Sequence, residues 1–349
     1  MLNYAYKQTD KSGTFVRILL CDFSKAFDLV DHGKLLEKLS SLGVPDYLIK
    51  WCASFLTQRE QRVKIGENLS NSMSPNGGCP QGTLIGPVAF VCHINDLSIP
   101  DPTLTIKYVD DTTILYLSRD PEDVTLQNAA NKLSEWSSDN KMKLNAKKTK
   151  ELVINFSKKI PPPNSITIDN TIIERVNNAK ILGIILSDDL TWNAHIDHVT
   201  KKATKRLYML TRCKRAGVTK DDMIGIYCSL IRPILEYCCV IWHSSLPQYL
   251  HDALESIQKR AVKIICGYNS SYPVCLEELK LESLWKRRED ICKKFFMDMT
   301  KPDHRLHNLL PKPSNRRKSA RTAPPIDMPK FRTNRYKNSF IPYAIHAFQ

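Results

Sequence analysis

The chain has 349 residues, a net charge of +15, a pI near 9.2 and 42% hydrophobic residues. That is enough length and apolar content for two domains with real cores, and the positive excess implies a polyanionic partner. No uncharged apolar run reaches the roughly 18 residues of a membrane span, the start Met1–Lys7 lacks a signal peptide's apolar stretch, and eleven scattered cysteines without a C-x-x-C pair read as reduced and intracellular, nuclear or cytoplasmic.

Residues 15–22 form the first predicted strand. Helical spacing follows over His32–Leu42 and Asp46–Leu56, broken by Gly43 and Pro45. The run 61–65 alternates like an exposed strand and leads to a turn at Gly66-Glu67-Asn68. Residues 83–97 read as a buried helix after a glycine-rich turn. A hairpin is expected over 104–117, a helix from Pro121 to about Asn140, and strands over 150–156 and 180–186. From Asn193 the pattern is helical, with segments near 193–215, 219–231, 247–266 and 275–300. The stretch 301–349 is rich in Pro and basic residues. These elements predict an α+β domain over 1–190, with helices on one face of an antiparallel sheet. A helical domain over 191–300 and a basic tail over 301–349 complete the chain.

The most informative residues are Asp110 and Asp111, between the apolar runs Leu104-Thr105-Ile106 and Ile114-Leu115-Tyr116. Two carboxylates at a hairpin tip repel each other unless a cation joins them. Oxygen-only ligation suits Mg²⁺, with Mn²⁺ as a substitute. Asp22 ends another apolar run, Phe15–Cys21. If both strands share a sheet, the carboxylates meet at one edge, the constellation of two-metal phosphoryl transfer with ions roughly 4 Å apart. Asp22 and Asp110 are read as the bridging ligands, and Asp111 as a weaker one because strand neighbours point oppositely.

The surrounding wording extends this reading. Asp22-Phe23-Ser24-Lys25-Ala26-Phe27-Asp28 comes first, then Gly77-Gly78-Cys79-Pro80-Gln81-Gly82-Thr83-Leu84-Ile85-Gly86-Pro87. Tyr108–Asp111, Asn145–Lys150 and Ile181-Leu182-Gly183-Ile184 follow. In this order the set resembles motifs A to E of reverse transcriptases, and the wording is most similar to non-LTR (LINE-type) retrotransposons. The likeness covers about residues 15–190. It continues more weakly through Tyr227–Tyr237, Ile241-Trp242 and Arg332–Phe340.

The resemblance implies a polymerase palm, followed by a helical thumb and extension. It implies an RNA-directed DNA polymerase that takes an RNA template, a DNA primer or target and deoxynucleoside triphosphates. Asp22, Asp110 and Asp111 become the metal-binding catalytic carboxylates. The Phe23 carbonyl joins them, and Ser24, Lys25, Ala26 and Phe27 lie against the triphosphate. Phe27 becomes an aromatic gate under the sugar, where a 2′-hydroxyl would clash; core packing is the alternative for this ring. Gln81 and Gly82 touch the nucleotide and template. Lys148 becomes the general acid for pyrophosphate, with Lys147 and Lys150 as alternatives. Leu182 and Gly183 become the turn that grips the primer backbone, with an ordinary bulge or bend between apolar strands as the alternative.

Asp28 and Asp31 read as helix-entry or salt-bridge carboxylates. Tyr227, Tyr237 and Trp242 read as core more than as base-stacking residues. The basic residues Arg316, Arg317, Lys318, Arg321, Arg332 and Arg335 are expected to contact phosphate. About twenty residues precede Asp22, so most of the family's fingers region is expected to be missing, and the chain alone is expected to show little or no primer extension while still binding primer-template. Two other readings compete: a remnant that only binds nucleic acid, and an intron maturase-like reverse transcriptase. Oligomeric state is not encoded in these patterns.

Overall fold

The computed structural model describes residues 1–57, 59–99, 102–267, 270–312 and 326–349. Helix α1 (Leu2–Thr9) is followed by strand β1 (Phe15–Cys21), helices α2 (His32–Ser41) and α3 (Asp46–Leu56), and a small ribbon, β2 (Lys64–Ile65) and β3 (Asn68–Leu69). Helix α4 (Ile85–His93) leads to the hairpin β4 (Leu104–Tyr108) and β5 (Asp111–Ser118), helix α5 (Thr125–Asp139) and strand β6 (Lys150–Asn155). Short strands β7 (Thr167–Ile168), β8 (Thr171–Ile172) and β9 (Glu174–Arg175) precede the hairpin β10 (Asn178–Ile181) and β11 (Ile184–Ser187). The rest is helical: α6 (Asn193–Arg215), α7 (Lys220–Ile226), α8 (Arg232–Glu236), α9 (Gln248–Cys266), α10 (Tyr272–Glu278), α11 (Leu284–Met299), α12 (Asn334–Lys337) and α13 (Phe340–Phe348).

The chain divides into two compact units, one of residues 13–177 and one of residues 1–12 with 178–349. The division thus falls at 177/178 rather than 190, and α1 groups with the C-terminal part.

The first unit is α+β. Its five-stranded sheet has the order β4-β5-β1-β6-β9, antiparallel except for β6 with β9. β1 is central, which explains its near-continuous apolar run. Leu19 and Cys21 join the core formed with Leu35 and Leu39 of α2, Phe90 of α4 and Ala130 and Leu133 of α5. Ile18 pairs with Leu115 and Leu152 across the other face. One charge interrupts the run. Arg17 is buried against Glu151, which is also buried and accepts from Arg175 as well. The Asn164 carbonyl takes a further Arg17 N–H at 2.8 Å.

The second unit packs helices around Trp192, Tyr227, Trp242, Leu254 and Ala261. Tyr227 and Trp242 are therefore core. Three expectations change here. The predicted strand 180–186 is a hairpin, because Leu182 and Gly183 both take positive φ (46° and 86°) and turn the chain between β10 and β11. The predicted helix 275–300 is two helices, since Lys280 takes φ 52° and Ser283 caps α11 by accepting from Lys286 N. Within the predicted tail, residues 340–348 form a helix that buries Ile341, Ala344 and Ile345 against Phe296 and Met299.

The stretch Lys220–Ile241 is long and apolar enough by composition to cross a membrane. It is not one regular helix: a π turn over Tyr227–Ile231 precedes Pro233. Its stripe Met223, Tyr227, Ile231 and Leu235 is fully buried in the second unit.

Candidate active site

The site begins where β1 ends. Cys21 pairs with Thr112, so the register carried one residue further sets Asp22 opposite Asp111. Tyr108 pairs with Asp111, leaving Val109 and Asp110 as a two-residue turn. Val109 sits at φ 55°, a costly conformation for a β-branched residue that the closed hairpin enforces. The Asp110 and Asp111 side chains therefore project from a rigid turn beside the Asp22 strand end.

Asp22 is held by its backbone. Its carbonyl accepts from Asn145 N at 2.8 Å and its N–H donates to Thr149 Oγ1 at 3.3 Å. Ser24 N donates to the Lys143 carbonyl at 2.8 Å, and Phe23 bridges to Leu144. The Phe23 ring is buried, edge-on to Trp136. These clamps leave the Asp22 carboxyl free for chemistry. Its Oδ2 is buried and makes no hydrogen bond. Burial raises the Asp111 carboxyl above its ordinary pKa, and the charges of Asp110 and then Asp22 raise it further.

The glycine-rich segment folds against the turn after Asp22. Gly78 N donates to the Val30 carbonyl and Cys79 N to the Phe27 carbonyl, both at 2.8 Å. Gln81 Nε2 donates to Asp28 Oδ1 at 3.1 Å. Gln81 and Gly82 are exposed at the end of this segment, and Lys25 is exposed in the turn it braces while Ala26 is buried. Phe27 is half-buried and stacks on Phe90, with centroids 4.6 Å apart. Asp31 is the N-cap of α2 and pairs with Lys141 at 2.7 Å, as its reading as a helix-entry carboxylate required. That lysine, then Lys34 N, holds its carboxyl below the usual range.

Of the three lysines weighed as acid, Lys150 is engaged by Glu174 and the Lys147 carbonyl. Lys147 and Lys148 are exposed. In the second unit, the Leu182–Gly183 turn is pinned by Tyr237, whose hydroxyl donates to the Leu182 carbonyl at 2.9 Å. A Cβ on Gly183 would stand 3.2 Å from that ring. The sequence offered no signal for this partnership. Arg332 is exposed and Arg335 half-buried beside α1, whose Asp10 accepts from Arg332 N and Thr333 N. Arg316, Arg317, Lys318 and Arg321 lie outside the described residues.

The carboxylates suit a hard divalent cation in donor chemistry: all are oxygen donors, and the buried Asp22 Oδ2 needs a partner. Among the described residues, no three His, Cys, Asp or Glu side chains close tightly enough to hold an ion by themselves. Mg²⁺ does not require that, because one or two carboxylates serve it alongside water and phosphate.

The family described as reverse transcriptase (RNA-dependent DNA polymerase) matches residues 5–186. The chain belongs to the reverse transcriptase family. Among its relatives is the probable RNA-directed DNA polymerase from transposon X-element of Drosophila melanogaster. It is 26% identical over 331 residues, covering 90% of this chain and 34% of that protein. The RNA-directed DNA polymerase from mobile element jockey of the same species is 25% identical over 84% of this chain and 33% of its own length. The Pol polyprotein from the type-1 retrotransposable element R2 of Popillia japonica is 23% identical over 60% of this chain and 39% of its own length. This reverse transcriptase chain therefore spans about a third of the curated relatives it matches. Among solved structures, telomerase from Candida tropicalis aligns over 85% of this chain and 44% of that one, at 11% identity and a TM-score of 0.44.

Proposed function

We propose that this chain forms the palm and thumb of an intracellular RNA-directed DNA polymerase of a non-LTR retrotransposon. It extends a DNA primer with deoxynucleotides on an RNA template. The single observation that carries the reading is the set of carboxylates at one sheet edge, with Asp22 Oδ2 buried and unsatisfied.

Asp22, Asp110 and Asp111 would hold Mg²⁺, which when bound neutralises the phosphates and acidifies a primer 3′-hydroxyl. The protein's own part is positioning. The turn Ser24–Phe27, braced by the Gly78 segment, presents backbone to the triphosphate. Gln81 and Gly82 stand ready for base and template. Lys148 is free in solvent to deliver a proton to the departing pyrophosphate. In the thumb unit, the rigid Leu182–Gly183 turn presents backbone to the primer.

The test is primer extension on an RNA template with Mg²⁺. Asp110→Asn should reduce the rate by about a thousandfold or more, while leaving the melting temperature and template binding near those of the parent. Extension retained in that variant would refute the assignment.

A further inference from the structure

The thumb unit holds a polar cavity that the polymerase chemistry leaves unused. Its volume is about 310 Å³, and its walls come from α1, the turn before α6, the start of α9 and α12. Tyr6 and Trp192 line it and are both buried. The Tyr6 hydroxyl lies beside the Ser245 side chain and the Trp192 indole, yet neither Tyr6 Oη nor Trp192 Nε1 makes a hydrogen bond of normal geometry. A buried donor in that condition is costly, and an acceptor entering the cavity would relieve it.

The rest of the wall favours an anion. Arg335 contributes a half-buried guanidinium whose pKa is lowered by burial and partly held up by the nearby Tyr6 and Asp10. The cavity's carboxylate, Asp189, is occupied by Thr191, accepting from its N–H at 2.8 Å and its hydroxyl at 2.9 Å. At the mouth stands Tyr249, 58% exposed, with its hydroxyl fixed to Asn193 Oδ1 at 2.5 Å. A pinned, exposed ring beside an anion pocket is a stacking platform with a phosphate site next to it.

We propose that this cavity binds one nucleotide unit of a single-stranded nucleic acid, with the phosphate at Arg335, Trp192 and Tyr6 and the base on Tyr249. The choice of a strand over a free nucleotide rests on the polymerase reading above and on the +15 charge of the chain.

The test uses the full chain and a single-stranded oligonucleotide carrying 4-thiothymidine, crosslinked by light and mapped by peptide mass spectrometry. Fluorescence anisotropy reads affinity. The crosslink should fall on the peptide containing Tyr249 or Trp192. Tyr249→Ala should weaken binding about tenfold, and Tyr249→Phe should retain most of it. Arg335→Gln should weaken binding and lower the salt slope by about 0.7. Tyr249 is exposed, so its variants keep the test valid even if Arg335→Gln fails to fold. Crosslinks mapping only elsewhere, with Tyr249→Ala binding like the parent, would overturn the proposal. So would inorganic phosphate or deoxynucleoside monophosphate competing as well as the strand. Asp110→Asn should leave the crosslink intact. Extension without the crosslink sinks this inference alone, and extension retained by Asp110→Asn beside an intact crosslink sinks only the polymerase reading.

Discussion

Gly78 lies so close to the turn after Asp22 that a Cβ would stand 2.9 Å from the Asp28 carbonyl oxygen and 3.0 Å from the Asp28 Cα. Its φ of +84° is also one that side chains rarely adopt. Both obstacles are backbone, so no change at the Asp28 side chain can relieve them. Gly78→Ala should cost about 3 kcal/mol of stability and depress extension further than stability alone explains, because the turn it braces would shift. Urea unfolding beside single-turnover extension checks this. A variant with parental stability would show that the loop can move away freely.

Metal binding should register without any catalysis. The Asp111 carboxyl binds its proton more tightly folded than unfolded, so its unfavourable contribution is absent at low pH and complete above its raised pKa. At neutral pH, Asp111→Asn should therefore raise the melting temperature of the metal-free protein. Mg²⁺ at a hundredfold over its Kd should stabilise the parent by about 2.7 kcal/mol and Asp111→Asn by less. An equal Mg²⁺ response in both would place the ion elsewhere.

The buried ion pair of β1 and β6 makes a separate demand. Glu151→Gln leaves Arg17 as a buried cation facing only neutral acceptors, without its counter-charge, and should cost about 3 kcal/mol. Replacing Arg17 by Met and Glu151 by Leu together should recover much of that loss. Chemical denaturation of the three variants decides it, and a double variant as weak as the single would show that the pair is needed for more than charge balance.

Four histidines set an acid limit. Burial, mainly, pushes His93, His195 and His251 down to about 4 and His243 to about 3. Arg288 Nε donates to His243 Nδ1, which leaves the Nε2–H to donate to Glu289, so the neutral ring is the one this network fits. The unfolded chain takes up protons below about pH 6.5 while the folded one refuses them. Stability should thus be complete above pH 6.5 and fall as pH drops towards 4, by about 1.4 kcal/mol per pH unit for each histidine. His93→Leu should flatten that slope in denaturation curves taken from pH 7 to 4.5. An unchanged slope would mean that His93 titrates normally.

Sugar choice tests Phe27. Its ring leans on Phe90, so Phe27→Val should lose some stability through packing as well as open space. If it also gates the sugar, ribonucleotide incorporation should rise relative to deoxyribonucleotide by about tenfold or more. A folded variant with an unchanged ratio would make this ring core alone.

The carboxylate turn was legible because alternating apolar runs flank it and its neighbours spell a familiar order. The buried strand β1 was legible from its unbroken apolar run. The Leu182–Gly183 turn was legible through the resemblance to the primer grip and not from the local pattern, because Ile-Leu-Gly-Ile-Ile-Leu carries a single glycine among β-formers and reads as strand over 180–186. The break at Lys280 was missed because no glycine or proline marks it. The C-terminal helix was hidden by its basic surroundings, although Phe340–Phe348 contains almost no charge. Tyr237 gripping the Leu182 carbonyl joins residues 55 apart, a distance at which local pattern is silent.

Asp10 receives three hydrogen bonds from residues 332 and 333, more than 320 positions along the chain. During synthesis these donors leave the ribosome more than 320 residues after Asp10. Residues 13–177 form a continuous unit and can close their sheet while translation is still under way. Helix α1 must wait for this anchorage until residues 332 and 333 have been made. A ribosome stalled at about residue 200 should therefore carry a palm that resists protease and an N-terminal helix that does not.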